Sequence, residues 1–183
     1  MTTSLLTTVN MFSAKIDKFK MTNIDDDMLV NYAVNEKWNT ENIKLHELDK
    51  FKSFYSIYED KINQVYHTSY GKNYKLKISG AWCAVGNTKN VIIPHNHKES
   101  FLSAVYYPQA DNEELWFINP MSQLSGLISE RHVEEYDEYN SDYWNVKVNT
   151  GDLLIFNSMI HHYITPTKHQ RISFAIDSII VPN

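Results

Sequence analysis

Residues 74–85, YKLKISGAWCAV, mark the point at which the hydrophobic period of the sequence changes to two. Tyr74, Leu76 and Ile78 alternate with lysine and serine, a pattern that is typical of a half-buried β-strand. Further short β-rich runs follow, separated by Gly, Pro, Asn and Asp: NVIIPHNH, FLSAVYY, ELWFI, WNVKV, GDLLIF, HHYITP and RISFAIDSIIV. Many short strands at regular spacing predict an all-β sandwich or barrel.

The part of the chain before this stretch, residues 1 to about 70, predicts a largely helical lead-in. Asn23 followed by the acids at 25–27 is typical of a helix start, because both suit the exposed amides of a first turn. A second helix is predicted from near Leu45 to near Tyr66. Its apolar residues recur at spacings of three and four and so share one face: Leu48, Phe51, Tyr55, Tyr58, Ile62 and Val65. We expect this face to dock on the protein's own sheet.

Composition excludes several classes of function. The 183 residues carry 17 Lys and Arg against 22 Asp and Glu, and a net charge of -5 argues against binding of nucleic acid through its phosphates. The single cysteine, Cys83, excludes an internal disulfide and any CxxC site, and its apolar surroundings predict a buried, unreactive side chain. The apolar runs are shorter than the ~20 residues of a membrane span, and the first residues lack a secretory pattern. We therefore expect a single cytoplasmic domain, residues 1–183, without nucleic-acid or membrane partners.

Histidines form the first candidate site. In an extended strand residues i and i+2 point to the same side, so that His95 and His97 would project side by side, as two ligands of one metal must. Residues 151–156, GDLLIF, predict a buried strand that leads to His161 and His162. These two point in opposite directions in an extended segment, and one of them would add a third imidazole. Three protein ligands leave positions open for water, substrate or oxygen, the arrangement of a catalytic metal.

Arg171 and Ser173 form a second candidate site near the end of the chain. On an extended strand they share one face with Ala175 and Asp177. A two-pronged guanidinium and a hydroxyl that point inward would bind a carboxylate. The alternative is an arginine on a solvent-exposed face, paired with an acid.

In this order and spacing, these motifs resemble the 2-oxoglutarate- and iron(II)-dependent oxygenases. The sequence is most similar to a branch of small oxygenases of marine bacteria and phages, over roughly residues 74–181. The matching positions are Trp82, Gly86, His95, His97, the run 103–107 (SAVYY), Asn119, Pro120, residues 151–162 and the run 171–173 (RIS).

The resemblance implies a mainly β fold, a double-stranded β-helix (jelly roll, cupin-like) over residues 74–181, with N-terminal supporting helices. It implies an oxidoreductase that binds Fe(II), 2-oxoglutarate and dioxygen. Such enzymes couple oxidative decarboxylation of 2-oxoglutarate to hydroxylation of a substrate, here an unknown small molecule or peptide. By position, the implied Fe(II) ligands are His95, His97 and His162, and the residues implied for 2-oxoglutarate are Arg171, Ser173 and either Tyr107 or Tyr106.

One position departs from the family's pattern. The usual triad has two histidines and a carboxylate, and His97 stands where the carboxylate is expected. Either His97 is itself a ligand, or an acid from elsewhere takes its place, namely Glu99, Glu113 or Glu114. We favour His97, because its side chain would share a face with His95.

A polar, acidic and tyrosine-rich segment interrupts the strands at residues 119–143. It is long for a simple connection, and it predicts either an active-site lid or a surface insertion. As a lid, its acids would favour a basic or neutral substrate over a phosphorylated one.

Two alternatives remain at this point. A cupin shares the β-helix class and an HxH motif, and would be a metal-dependent dioxygenase or isomerase that does not use 2-oxoglutarate. However, a cupin normally has a glutamate several residues after HxH, whereas Glu99 follows His97 by two, and it does not need Arg171 and Ser173. The other alternative is a non-catalytic β-sandwich binding module with structural histidines. We also consider a homodimer as the oligomeric state of the protein.

Overall fold

The computed structural model describes residues 14–35, 44–122 and 133–183. Two short 3-10 helices, Leu45–Glu47 and Asp49–Phe51, lead into the longer of two α-helices. The described elements in chain order are β1 (Ile16–Lys20), α1 (Asp26–Asn35), α2 (Lys52–Tyr70), β2 (Tyr74–Gly86), β3 (Ile92–His95), β4 (Leu102–Gln109), β5 (Glu113–Ile118), β6 (Tyr143–Val148), β7 (Asp152–Asn157), β8 (His162–Ile164) and β9 (Arg171–Pro182).

The strands form two antiparallel sheets. One has five strands in the order β1-β7-β4-β9-β2, and the other has four in the order β3-β8-β5-β6. Apolar side chains of both sheets meet between them, with Tyr107 and Phe156 of the larger sheet packed in one cluster with Leu115 and Phe117 of the smaller. The predicted mainly β, double-stranded β-helix fold with N-terminal helices is therefore confirmed.

Strand β7 is apolar at four successive positions because the five-stranded sheet is covered on both faces. Along β7, Leu153 and Ile155 belong to the core beneath the helices, whereas Leu154 and Phe156 belong to the core between the sheets. Successive side chains of a strand point to opposite faces, so that a doubly covered strand loses its polar positions. Strand β9 differs, because Ile172, Phe174 and Ile176 pack beneath the helices, whereas the polar side chains on its other face point between the sheets and form the candidate site.

Helix α2 docks on the five-stranded sheet with the predicted aromatic face. The rings of Phe54 and Phe174 lie edge to face, with centroids 5.7 Å apart. The buried Tyr58 hydroxyl donates a hydrogen bond of 2.6 Å to the carbonyl oxygen of Phe174. The helix begins at Lys52 rather than near Leu45, because Leu48 has an extended backbone (φ -77°, ψ 129°) that separates the two 3-10 turns.

Helix α1 begins where the acidic run predicts, with a different capping residue. The Asp25 side chain accepts a hydrogen bond of 3.0 Å from the backbone N–H of Met28 and so caps the helix. Asn23 instead has a left-handed backbone conformation, with φ of 63°.

Strand β1 corrects the prediction that the lead-in is helical. Residues 16–20 pair with β7 at the edge of the larger sheet, with Ile16 opposite Phe156. A run of five residues is too short for its alternation to be distinguished in sequence from part of a helical turn. Cys83 is free and buried as expected, and burial raises its pKa to about 11. Among the helices of the described residues, none is both long and apolar enough to cross a membrane.

Candidate metal centre

Three histidines meet at one point, two on neighbouring strands of the smaller sheet and one in the turn after the first of these strands. One nitrogen from each of His95, His97 and His162 lies within 4.8 Å of the corresponding nitrogens of the other two. His95 ends β3 and lies opposite His162 at the start of β8. His97 lies just beyond β3, in a turn that its backbone N–H anchors by a hydrogen bond of 2.9 Å to the carbonyl of Ser158. The prediction derived the side-by-side placement of His95 and His97 from strand geometry alone. In the structure, the anchored turn also contributes to this placement.

Each of the three imidazoles is oriented by an oxygen at Nδ1. The Nδ1 of His95 lies 2.9 Å from the carbonyl oxygen of Ile93, and that of His162 lies 3.0 Å from the carbonyl oxygen of Ile160. A carbonyl can only accept, so Nδ1 must carry the proton in both rings, and the lone pair of the neutral ring remains on Nε2. This arrangement of the second nitrogen is typical of metal-ligating histidines.

A carboxylate orients the third imidazole. His97 Nδ1 lies 2.6 Å from Oδ1 and 2.8 Å from Oδ2 of Asp177, on β9. The Ser103 hydroxyl donates a further hydrogen bond of 2.7 Å to Asp177 Oδ1, and the Trp82 ring stacks on the His97 ring with centroids 5.5 Å apart. Sequence reasoning placed Asp177 on the face of Arg171 and Ser173 but gave it no role, although the period-two alternation of β9 already pointed it toward the site.

The neighbouring candidates lie outside this cluster. His161 is exposed, whereas His162 has only 5% of its surface exposed. Within the described part of the chain, none of Glu99, Glu113 and Glu114 joins the three histidines in a ligand group. The donor set there consists of imidazoles, which suit a first-row divalent transition metal such as iron and leave room for further ligands.

Burial keeps His162 neutral. Desolvation, with smaller contributions from the other two histidines, lowers its pKa from 6.5 to about 4. An imidazole that is neutral at physiological pH has its Nε2 lone pair available for a metal.

The metal-free protein should therefore lose stability in acid through His162. The unfolded chain binds the proton near pH 6.5 and the folded chain only near 4, so the loss accrues as pH falls between these values and reaches about 3 kcal/mol. Denaturant unfolding of chelator-treated protein from pH 7.5 to 4 measures it. In His162→Gln, the free energy of unfolding should decrease by about 3 kcal/mol less over this pH range than in the original protein. The same dependence of this free energy on pH in both proteins would contradict the prediction.

Arg171 lies at the opposite end of the same face of β9. It is 1% exposed, and its Nε and Nη1 atoms have no hydrogen-bond partner. A side chain at Gly86, the residue opposite on β2, would place its Cβ 3.0 Å from the guanidinium, which explains the glycine. Burial lowers the pKa of Arg171, while Tyr107 and Glu113 favour its charged form. A buried cation with unpaired donors is costly unless an anion is bound there.

The two candidate tyrosines lie on opposite faces of β4. The hydroxyl of Tyr107 is buried without a hydrogen-bond partner. Burial raises its pKa to about 12, and the positive charge of Arg171 partly opposes this increase. The hydroxyl of Tyr106 points toward the helices and donates a hydrogen bond of 2.6 Å to Asp26. The structure thus brings Tyr107, and not Tyr106, to Arg171.

The two inward-facing residues of β9 between the ends of the site have small side chains. Ser173 and Ala175 follow Arg171 on the inner face of β9, and Ala84 lies opposite Ser173. The distance along β9 from Arg171 to Asp177 is about 20 Å. The side chains of Arg171 and Asp177, together with His97, bridge part of this distance. A cation at one end and an imidazole cluster at the other, separated along β9 by Ser173 and Ala175, fit a small dicarboxylate that also reaches a metal, with Trp82 beside them opposite Ala175.

The segment at residues 119–143, predicted as a lid or a surface insertion, connects β5 and β6. Its residues 119–122 and 133–142 are described, and Asn119 donates a hydrogen bond of 3.0 Å to the carbonyl of Ser141 across its base. Residues 123–132 lie outside the described residues, so the lid remains a prediction.

Fold and site together define a double-stranded β-helix protein with three clustered imidazoles and a buried arginine whose donors are unpaired. The family described as "Putative 2OG-Fe(II) oxygenase" matches residues 80–177, more than half of the chain. The chain belongs to this family, which agrees with the resemblance of its motifs. Among curated proteins, none matches the sequence of this chain.

Solved structures of similar fold come from the same class of enzyme. HygX from Streptomyces hygroscopicus, with nickel and 2-oxoglutarate bound, has a TM-score of 0.62 at 8% identity over 91% of this chain and 82% of that one. A Pseudomonas putida prolyl-4-hydroxylase has a TM-score of 0.55 at 13% identity, covering 88% and 85%. A Burkholderia pseudomallei oxidoreductase of the 2OG-Fe(II) oxygenase family has 0.53 at 11%, covering 72% of this chain and 56% of its own length. At such identities these likenesses concern the fold.

Proposed function

We propose that this protein is an Fe(II)- and 2-oxoglutarate-dependent dioxygenase that hydroxylates a small molecule or a peptide. The observation that carries the proposal is that two candidate ligand-binding groups lie between the sheets. One is the set of three histidines with Nδ1 engaged and Nε2 available; the other is the buried guanidinium of Arg171 with unpaired donors. Either group alone would allow other functions, but together they fit a metal and a dicarboxylate held side by side.

In this proposal His95, His97 and His162 hold Fe(II) through their Nε2 atoms. The bound metal with 2-oxoglutarate and dioxygen would supply the oxidising chemistry, in which 2-oxoglutarate is converted to succinate and CO2. Rings of Phe117 and Phe156 lie against His162, with centroids 6.2 and 4.9 Å from its own, and keep water from that side of the centre.

Arg171 binds the carboxylate of 2-oxoglutarate that lies far from the metal. A guanidinium offers two parallel donors to a carboxylate, and in this buried setting the pair is stronger than it would be in water. Tyr107 is neutral at physiological pH, and burial raises its pKa further, to about 12, so its hydroxyl can donate to the same carboxylate. Ser173, the next inward residue of β9, assists by its hydroxyl.

Anaerobic titration of the purified protein with Fe(II) and then 2-oxoglutarate tests the proposal. We expect a visible charge-transfer band that needs both additions, and formation of succinate once air is admitted. Metal binding without any response to 2-oxoglutarate would contradict the proposal and favour a cupin-type enzyme. Failure to bind metal at all would favour a binding module without catalysis.

The substrate and the cellular setting are further parts of the proposal. The acidic residues of the 119–143 segment support a basic or neutral substrate if this segment acts as a lid. The single free cysteine and the negative net charge support a cytoplasmic protein without nucleic-acid or membrane partners. Membership of the marine bacterial and phage branch and a homodimeric assembly remain predictions, and screening of metabolites and peptides for stimulated succinate formation would identify the substrate.

A further inference from the structure

His97 and Asp177 form a hydrogen-bonded pair that metal binding by three histidines does not by itself require. The two residues are 80 positions apart in the chain, and both carboxylate oxygens lie within 2.8 Å of the same ring nitrogen. The other two histidines have only a backbone carbonyl at this nitrogen. Within the described residues, Asp177 is the carboxylate in contact with the cluster.

The surroundings hold this carboxylate in place. Ser103, opposite Asp177 on β4, donates a hydrogen bond to Oδ1, and its oxygen lies 2.9 Å from the hydroxyl oxygen of the fully buried Ser158. The backbone carbonyl of Ser158 in turn anchors the turn that carries His97. Gly80, opposite on β2, leaves the other side of Asp177 without a side chain. Asp177 is therefore held toward His97 by the hydroxyl of Ser103 on β4, which Ser158 supports from the turn after β7.

A carboxylate at this place changes the metal centre. An Nδ1–H that donates to a full negative charge makes Nε2 a better electron-pair donor than one that donates to a neutral carbonyl. His97 stands at the position where the family's usual triad has a carboxylate ligand, so a cluster of imidazoles alone would lack that negative charge. Asp177 supplies this negative charge through its hydrogen bond with His97, without contacting the metal itself.

We infer that Asp177 is a positioning residue that tunes His97 as a metal ligand and supplies the negative charge of the missing carboxylate. The inference rests on the proposed metal-binding function of the three histidines. It concerns the strength and geometry of metal binding, so it is tested without substrate and without turnover.

Titration with Co(II), followed by its visible d–d absorption, provides the test. In Asp177→Asn, which keeps the size of the side chain and removes its charge, we expect Co(II) affinity to fall by about 10- to 100-fold. The d–d bands of the saturated variant should also shift, because the donor strength of His97 changes. A merely structural role would lower the stability of the metal-free protein and leave the saturated spectrum unchanged.

Glu99→Gln is the matched control, because it removes the same charge from an exposed residue two positions after His97. Its Co(II) affinity should stay within about twofold of that of the original protein, since exposed charges are screened by solvent. Ser103→Ala, which removes only the hydroxyl that holds Asp177, should weaken binding severalfold and preserves the test if Asp177→Asn does not fold.

Three outcomes would overturn the inference. The first is Co(II) affinity within twofold of the original in both Asp177→Asn and Ser103→Ala, and the second is an equal loss in Glu99→Gln. Either leaves the proposed function intact if the original protein binds Co(II) and 2-oxoglutarate alters the spectrum. The third, no Co(II) binding by the original protein, would overturn the inference and the proposed function together.

Discussion

Replacing His162 with glutamine is expected to abolish both the charge-transfer band with Fe(II) and 2-oxoglutarate and the formation of succinate. Glutamine retains a polar side chain of similar length but has no imidazole Nε2 lone pair to offer. With only two imidazoles left, the centre loses one of its three protein ligands, and a catalytic site needs all three to hold the ion while other positions stay open. This is the largest effect that we expect from a single substitution.

The adjacent residue provides the control for this experiment. His161 is exposed and contributes to the fold through its backbone carbonyl, which accepts a hydrogen bond of 2.8 Å from Ile118 N–H. His161→Gln retains that contact, so the band and the succinate yield should equal those of the original protein. Loss of activity in both variants, or in neither, would mean that His162 is not a ligand.

Replacing Arg171 with methionine should raise the 2-oxoglutarate concentration needed for half-maximal response by roughly 30- to 4,000-fold. Loss of a buried, charge-assisted carboxylate pair costs about 2–5 kcal/mol, which corresponds to roughly 30- to 4,000-fold in affinity. Fe(II) or Co(II) binding without 2-oxoglutarate should not change, because Arg171 lies at the far end of β9 from the histidines. Titration of the charge-transfer band with 2-oxoglutarate measures the effect.

Two kinds of control sharpen the Arg171 experiment. Lys168→Met removes an exposed cation three residues away and should leave 2-oxoglutarate affinity unchanged. Tyr107→Phe removes one hydroxyl and should weaken binding by about 2- to 12-fold, the value of a neutral hydrogen bond. Tyr106→Phe should have no effect on 2-oxoglutarate, because that hydroxyl bonds Asp26 on the other face of the sheet. Unchanged 2-oxoglutarate affinity in Arg171→Met would exclude the carboxylate-binding role.

The unpaired donors of Arg171 and the unpaired hydroxyl of Tyr107 destabilise the protein when no ligand is bound. Buried polar groups without partners cost free energy, which the packing of both sheets and of α2 must offset. The Tyr58 hydroxyl bonded to the carbonyl of Phe174 shows how closely the helix supports β9, the strand that carries Arg171 and Asp177. Ligands that fill the site should therefore raise the stability of the whole protein.

The sequence by itself determined the elements that depend on chain neighbours. Periods of two and of three to four residues predicted most strands and the docking face of α2, because alternation and helical spacing are local properties. Spacing also singled out His95, His97 and Arg171. The same local logic overlooked β1, whose five residues become a strand only because β7 offers an edge to pair with.

Tertiary structure alone decided which side chains meet across strands. The choice of Tyr107 over Tyr106 follows from which face of β4 turns toward the smaller sheet. The contact of His97 with Asp177 depends on a turn beyond β3 and on the register of β9, 80 residues later in the chain. Such contacts are set by how the sheets pair and close on each other, and a shift of one residue in register would turn every one of these side chains to the opposite face.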